Sequence, residues 1–265
     1  MLKARYKMFG KLPGLIKQKQ VSFGAWVTIA NPEVPEMLSL LGFDWLLFDL
    51  EHAPIDYQHL EHMLMGVRSD ATPLVRVPFN DPVYVKRVLD LGVAGVLFPL
   101  INRKEDAELA VKSVRYPPEG IRGVGPRRAA SWGLRTEEYF REARNILVIV
   151  QIETREAVER AEEILAVEGV SAFFIGPNDL SFSYGKRSWK DEVVRKAVER
   201  LAEVSEQTGV PGGMYCSDNE SLEFALRSGF KLIALGSDYR FLVAGARERL
   251  ARARELLQAS STLQR

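Results

Sequence analysis

Carboxylates, an arginine and a histidine stand where apolar runs stop. Trp45-Leu46-Leu47-Phe48 meets Asp49 and continues to Glu51 and His52, and Pro73-Leu74-Val75 ends on Arg76. The run 146–152 contains Gln151 and ends on Glu153, while Ala172-Phe173-Phe174-Ile175 leads through Gly176-Pro177-Asn178 to Asp179. A strand buried on both faces reads as continuous Val, Ile, Leu and Phe, so a charge at its carboxyl end needs a reason to be there. Glu153 and Asp179 would close neighbouring strands and face the same rim, spaced to share a cation. An all-oxygen set of this kind suits Mg²⁺ or Mn²⁺, with water and substrate oxygens completing the octahedron. The planar fork of Arg76 suits a carboxylate or a developing oxyanion. His52 is the natural acid/base near neutral pH, with Asp49 and Glu51 beside it in sequence and Asp90 able to reach it from a helix end. The 176–179 turn adds backbone N–H groups for a substrate carboxylate.

Each group also has a plainer reading. Glu153 and Asp179 could be salt-bridged carboxylates, Arg76 the structural partner of Glu153 or Asp49, and His52 a core or capping residue. His59 and His62 flank the apolar helix face of Leu60, Leu64 and Val67, which makes them solvated helix residues rather than ligands.

The elements that must position these groups alternate along the chain. Strand patterns fall at 23–29, 45–50, 74–77, 95–99, 147–153, 172–175, 212–216 and 232–235. Helical patterns follow at 33–41, 57–68, 83–91, 104–114, 155–167, 191–207, 220–227 and 243–257. Such alternation implies a parallel sheet, and the count is that of a (β/α)₈ TIM barrel, whose catalytic groups gather at the carboxyl ends of the strands. Gly42, Gly92, Gly169 and Gly229 each close a helical run just before a strand, and Asn31-Pro32 and Asp81-Pro82 offer N-cap chemistry followed by proline. No linker divides the chain, so residues 1–265 read as one domain with its core at about 21–258. The segment 116–144 is too long and too rich in arginine, glycine and proline for an ordinary connection, which points to function or an interface.

Composition narrows the partners. A 46% hydrophobic fraction supports a sizeable core, and a net charge of +1 argues against nucleic acid or an anionic membrane as the main partner. The one cysteine, Cys216, excludes an internal disulfide and fits a reducing cytoplasm. The basic start Met1-Leu2-Lys3-Ala4-Arg5-Tyr6-Lys7 lacks an apolar stretch behind it, so it does not read as a signal peptide. No run approaches the roughly 20 apolar residues that span a bilayer. Gly120-Ile121-Arg122-Gly123-Val124-Gly125 has neither the order nor the preceding strand of a dinucleotide site, and no P-loop occurs. No lysine ends a strand in the second half of the chain, since Lys231 begins one. A metal-dependent route is therefore preferred to an imine.

With those residues placed, the chain resembles the metal-dependent pyruvate aldolases of the HpcH/HpaI family, which share the phosphoenolpyruvate/pyruvate barrel with citrate lyase β subunits. The resemblance runs from about Gly24 to the C-terminus. It is carried by Phe-Asp-Trp-Leu-Leu-Phe-Asp-Leu-Glu-His-Ala-Pro at 43–54, Val-Arg-Val-Pro at 75–78 and Arg-Tyr-Pro-Pro-Glu-Gly-Ile-Arg-Gly-Val-Gly at 115–125. Val-Gln-Ile-Glu-Thr-Arg-Glu-Ala at 150–157 and Phe-Ile-Gly-Pro-Asn-Asp-Leu-Ser at 174–181 complete it. Leu50, Val77-Pro78 and Pro126-Arg127-Arg128 depart from the pattern, toward the aldehyde side.

The resemblance implies roles. Glu153 and Asp179 match the metal ligands and Arg76 the arginine that contacts the keto oxygen of pyruvate. His52 and Asp90 match an acid/base dyad, Asp49 sits in the matching pocket motif, and Gln151 with 176–179 lines the pyruvate side. The implied activity is reversible cleavage of a 4-hydroxy-2-oxo acid to pyruvate and an aldehyde through a metal-stabilised enolate. A 2-keto-3-deoxy sugar acid or a 2,4-dihydroxyhept-2-enedioate would be the substrate, and Mg²⁺ or Mn²⁺ (Co²⁺ as a substitute) the cofactor. Oxaloacetate decarboxylation or cleavage of a CoA thioester on the same barrel is the enzymatic alternative, although no adenine-diphosphate groove is evident. A non-catalytic oligomeric scaffold is the other. The final helix carries an apolar stripe at Leu242, Leu250 and Leu257, and the resemblance implies a homo-hexamer, a dimer of trimers exchanging that helix between subunits.

Overall fold

Strands built from Val, Leu, Ile and Phe bury both faces only when helices cover the outside and side chains fill the inside, and this chain does both. The computed structural model describes residues 9–263. Within it β1 (Ser22–Val27), β2 (Trp45–Asp49), β3 (Thr72–Arg76), β4 (Gly95–Phe98), β5 (Leu147–Ile152), β6 (Ala172–Ile175), β7 (Gly212–Tyr215) and β8 (Leu232–Ser237) close into a parallel barrel in sequence order. The basic stretch at residues 1–7 lies outside the described residues. Among those described, no helix is long and apolar enough to cross a membrane.

The helices are α1 (Leu12–Lys17), α2 (Glu33–Leu40), α3 (Tyr57–Gly66), α4 (Pro82–Asp90), α5 (Lys104–Val114), α6 (Thr136–Glu142), α7 (Arg155–Glu159), α8 (Ala161–Leu165), α9 (Pro177–Ser183), α10 (Glu192–Thr208), α11 (Asn219–Arg227) and α12 (Asp238–Leu263). Gly42, Gly92, Gly169 and Gly229 hold φ of 92°, 95°, 98° and 81°, the left-handed turn that closes a helix before the next strand. Asp81 caps α4 through Val83 N–H at 2.7 Å, with Pro82 in the first turn. At α2 the cap moves by one position: Pro32 is the N-cap residue and the Asn31 side chain accepts from Glu33 N–H at 2.8 Å.

Two apolar clusters divide the core. One fills the barrel with Trp26, Trp45, Leu47, Leu74, Leu97, Ile149, Phe174, Leu232 and Ala234, and Leu12 of α1 joins it as a plug. The other packs the outer strand faces against the helices. The inner layer alternates large and small: a Cβ on Gly24 would lie 2.0 Å from the Trp45 ring, so glycine there makes room for the indole. The run expected as one helix over 155–167 is two short helices meeting at Arg160 (φ −109°). The long segment after α5 is not bare loop, because α6 and a 3₁₀ turn on each side of it pack Tyr139 into the core. The last helix begins at Asp238, before the expected 243, and its side chains from Arg240 to Ser260 are exposed.

Candidate active site

Register brings the charges together. Asp49 and Arg76 are partners on the β2–β3 ladder, at the carboxyl ends of both strands. The guanidinium lies flat against the carboxylate, Nε donating to Oδ1 at 2.9 Å and Nη2 to Oδ2 at 2.7 Å. Nη1 forms an ion pair with Glu51 Oε2 at 2.9 Å, outside the alignment of a hydrogen bond. Trp26 packs beneath the guanidinium, 5.7 Å from the ring centroid. Burial alone would make Arg76 easier to deprotonate, but Asp49, Glu51 and Glu153 outweigh it and hold the guanidinium protonated. Asp49 also accepts from the backbone N–H of Glu51 and His52, which shapes the turn after β2.

Glu153 follows β5 and Asp179 lies in the first turn of α9, just past β6. Glu153 is 3% exposed, accepts from the Leu100 N–H at 2.8 Å and is hydrogen-bonded by the Gln151 amide. Leu100 presents that N–H from a left-handed backbone, φ 54°. Burial, with the charges of Asp179 and Glu51 added, pushes the Glu153 carboxyl up to about 7. Glu51 is raised as well, first by burial, with Asp49 and Asp179 adding to it and Arg76 and His52 opposing it. Glu51, Glu153 and Asp179 repel one another, and a cation held by carboxylates here would relieve that repulsion.

The donor set fits a divalent ion. A Cβ on Gly176 would come within 2.9 Å of Glu153 Oε2, so glycine keeps that oxygen approachable, and Gln151 Oε1 is buried without a hydrogen-bond partner. No group of three or more His, Cys, Asp or Glu residues spaced to hold a metal occurs among the described residues. Glu153 and Asp179 would therefore supply two positions of an oxygen shell that water and substrate complete.

A cleft of about 400 Å³ opens over this rim. Asp49, His52, Arg76, Gln151, Gly176, Pro177, Asn178 and Asp179 line it, and Glu153 lies just behind Gln151 and Gly176. The His52 side chain is 67% exposed, its Nε2 3.9 Å from Glu51 Oε2. Asp90 is elsewhere. At the end of α4, outside the cleft lining, it takes a 2.8 Å hydrogen bond from Arg122, and burial raises its carboxyl despite that cation. Arg122 is itself buried, donating to the Tyr139 hydroxyl at 2.7 Å with its guanidinium over the Tyr116 ring. Within one chain Asp90 thus meets Arg122 rather than His52.

Trp26, Thr28, Phe174, Tyr215, Ser237, Tyr239 and Arg240 also line the cleft. None was singled out from sequence. Trp26, Phe174 and Tyr215 sit in strands, where an aromatic reads as core, and Arg240 sits in the first turns of α12, ahead of the helical pattern at 243–257. The signal available was Gly236-Ser237-Asp238 directly after an apolar run, the same strand-to-helix junction that carries Asp179.

A parallel barrel with a buried arginine and paired carboxylates on its carboxyl rim defines a class, that of the metal-assisted barrel lyases. The chain belongs to the HpcH/HpaI aldolase/citrate lyase family, whose sequence profile matches residues 22–244. The 5-keto-4-deoxy-D-glucarate aldolase of Escherichia coli K12 is 40% identical over 233 residues, 86% of this chain and 90% of the relative. An HpcH/HpaI aldolase/citrate lyase family protein from Burkholderia cenocepacia J2315 superposes with a TM-score of 0.89 at 32% identity, covering 92% of this chain and 99% of that one. The HpcH/HpaI aldolase from Desulfitobacterium hafniense DCB-2 superposes at 0.83 with 26% identity, covering 93% and 96%. The chain is accordingly a class II aldolase, a carbon–carbon lyase with a divalent metal cofactor.

Proposed function

We propose that this enzyme reversibly cleaves a 2-keto-3-deoxy sugar acid of the 5-keto-4-deoxy-D-glucarate kind to pyruvate and an aldehyde, with Mg²⁺ or Mn²⁺ held by Glu153 and Asp179. The observation that carries the reading is the buried Asp49–Arg76 pair set beside two mutually repelling carboxylates at one cleft. When bound, the ion supplies a Lewis acid to the 2-oxo acid. Arg76, locked by Asp49, lays fixed positive charge beside the oxygen on which charge develops, so little reorganisation is needed during the reaction. Gln151 and the 176–179 turn hold the carboxylate end of the substrate. His52, exposed at the mouth, takes the C4 hydroxyl proton in cleavage and returns it in condensation.

The assembly belongs to the same reading. Leu242, Leu250 and Leu257 on α12 are 66%, 53% and 69% exposed, an apolar stripe along the last helix. A homo-hexamer built as a dimer of trimers, with α12 exchanged between subunits, would cover it. Pyruvate release coupled to lactate dehydrogenase, across a panel of 4-hydroxy-2-oxo acids with and without chelator, tests the activity. Chelator-sensitive cleavage of a six-carbon 2-keto-3-deoxy acid is expected. Cleavage at full rate in excess chelator would overturn the metal assignment.

A further inference from the structure

Most charges in the cleft have partners of their own. Arg76 spends its fork on Asp49 and sets Nη1 against Glu51. Arg240 does not share that situation. It lines the same cleft, and its Nε donates to the Tyr239 hydroxyl at 3.2 Å, but no carboxylate among the described residues lies in ion-pair range of it. Its guanidinium rests 6.0 Å from the Tyr215 ring and 5.8 Å from the Tyr239 ring. Tyr215 meets Trp26 edge-on at 5.6 Å, and Trp26 in turn packs against Arg76, so aromatic contacts run from one guanidinium group to the other.

The arginine is also held in place from below. Asp238, 6% exposed, accepts from Thr28 N–H at 2.7 Å, Thr28 Oγ1 at 2.6 Å and Ile29 N–H at 2.8 Å, which pins the first turn of α12 to the end of β1. A cation on a fixed turn, facing the cleft and lacking a carboxylate partner, is arranged for an anion that arrives with the substrate. Asp49, Glu51, Glu153 and Asp179 would repel a second carboxylate entering anywhere near them. Arg240 is the strong cation of the lining that can answer it.

We propose that Arg240 binds an anionic tail on the aldehyde half of the substrate and makes the enzyme selective for 2-keto-3-deoxy acids that end in a second carboxylate. The inference rests on the aldolase reading above and adds the residue that selects the acceptor. A planar fork beside two tyrosine rings gives such a tail directional hydrogen bonds, and loss of a charge-assisted contact of that kind reduces discrimination roughly tenfold to a hundredfold.

The test compares two six-carbon 2-keto-3-deoxy acids, one ending in carboxylate (5-keto-4-deoxy-D-glucarate) and one in hydroxymethyl, using the full-length, metal-loaded enzyme. Wild type should favour the acid-ended substrate in kcat/KM, and rising ionic strength should narrow the preference. Arg240→Gln should collapse the ratio through the acid-ended substrate, while Arg240→Lys, which keeps the charge, should retain part of it. Arg240→Met replaces the Gln variant should that one fail to fold. An unchanged ratio, an equal loss on both substrates, or a wild type with no preference would overturn the role of Arg240 while leaving the aldolase intact. Cleavage of neither substrate by wild type would overturn the function and the inference together.

Discussion

Replacing Glu153 by Gln should make the metal-free protein more stable above neutral pH while abolishing its use for metal. A carboxyl that titrates near 7 rather than at its ordinary 4.5 costs the folded state about 3 kcal/mol once ionised. Between those two pH values the folded chain binds more protons at this site than the unfolded chain does. Stability from the group is therefore complete below about 4.5, falls as pH rises, and levels off above about 7. Glutamine is neutral throughout and keeps the acceptor for the Leu100 N–H. Its amide can also donate to Gln151 Oε1, now buried without a partner, once the Gln151 amide turns over. Urea unfolding of both proteins in excess chelator, at fixed protein concentration, should show the advantage of Glu153→Gln growing by about 2 to 3 kcal/mol from pH 5 to pH 8. Adding metal at 100 times its dissociation constant should then return about 3 kcal/mol to wild type and none to the variant. A gap that fails to widen in chelator, or a wild type that gains on the variant as pH rises, would refute the claim that burial and carboxylate repulsion strain this site.

Other outcomes follow from the same geometry. Asp179→Ala should lose divalent-ion binding by calorimetry with little change in unfolding midpoint, because Asp179 faces the cleft mouth. Arg76→Ala should lower both aldol cleavage and pyruvate proton exchange roughly 10²–10³-fold. Leaving Asp49 buried without its partner should also cost about 3–5 kcal/mol in denaturant titration. His52→Ala should reduce cleavage about 10²–10⁴-fold at little stability cost; wild-type kcat across pH 6–8 would remove it from the mechanism. Deleting residues 247–265 should lower the mass seen by light scattering, and an unchanged oligomer would free α12 of its assembly role.

The barrel was legible because two-sided burial leaves an unmistakable mark: β2 and β3 are largely apolar runs ending on Asp49 and Arg76, and β5 and β6 are largely apolar runs followed by Glu153 and, in the first turn of α9, Asp179. Parallel register then brings strand ends to one rim, so side chains from distant sequence share a cleft. What could not be read depended on contacts rather than on pattern. Neighbouring sequence gives no hint that Asp90 would meet Arg122, since the arginine lies in an irregular segment whose path is set by Tyr116 and Tyr139 packing around it. The plug helix α1 and the short α9 are too brief to show periodicity. The break at Arg160 falls inside a sequence of good helix formers, and we find no residue there that dictates it. The exposed α12 read as amphipathic, but its first turn, which carries Tyr239 and Arg240, was hidden because Gly236-Ser237 resembles an ending rather than a joint.

The seam fastened by Asp238 also sets a schedule for synthesis. Thr28 and Ile29, at the end of the first strand, wait for a carboxylate that lies 210 and 209 residues further along the chain. At about 5–20 residues per second, a ribosome needs roughly ten to forty seconds to supply it. Throughout that interval any pairing of β1 with β2 leaves an open edge where β8 belongs. The nascent chain therefore carries an unpaired strand edge until nearly the last tenth of its translation. Slowing elongation through α10 and α11 should prolong its exposure to chaperones and to other unfinished copies.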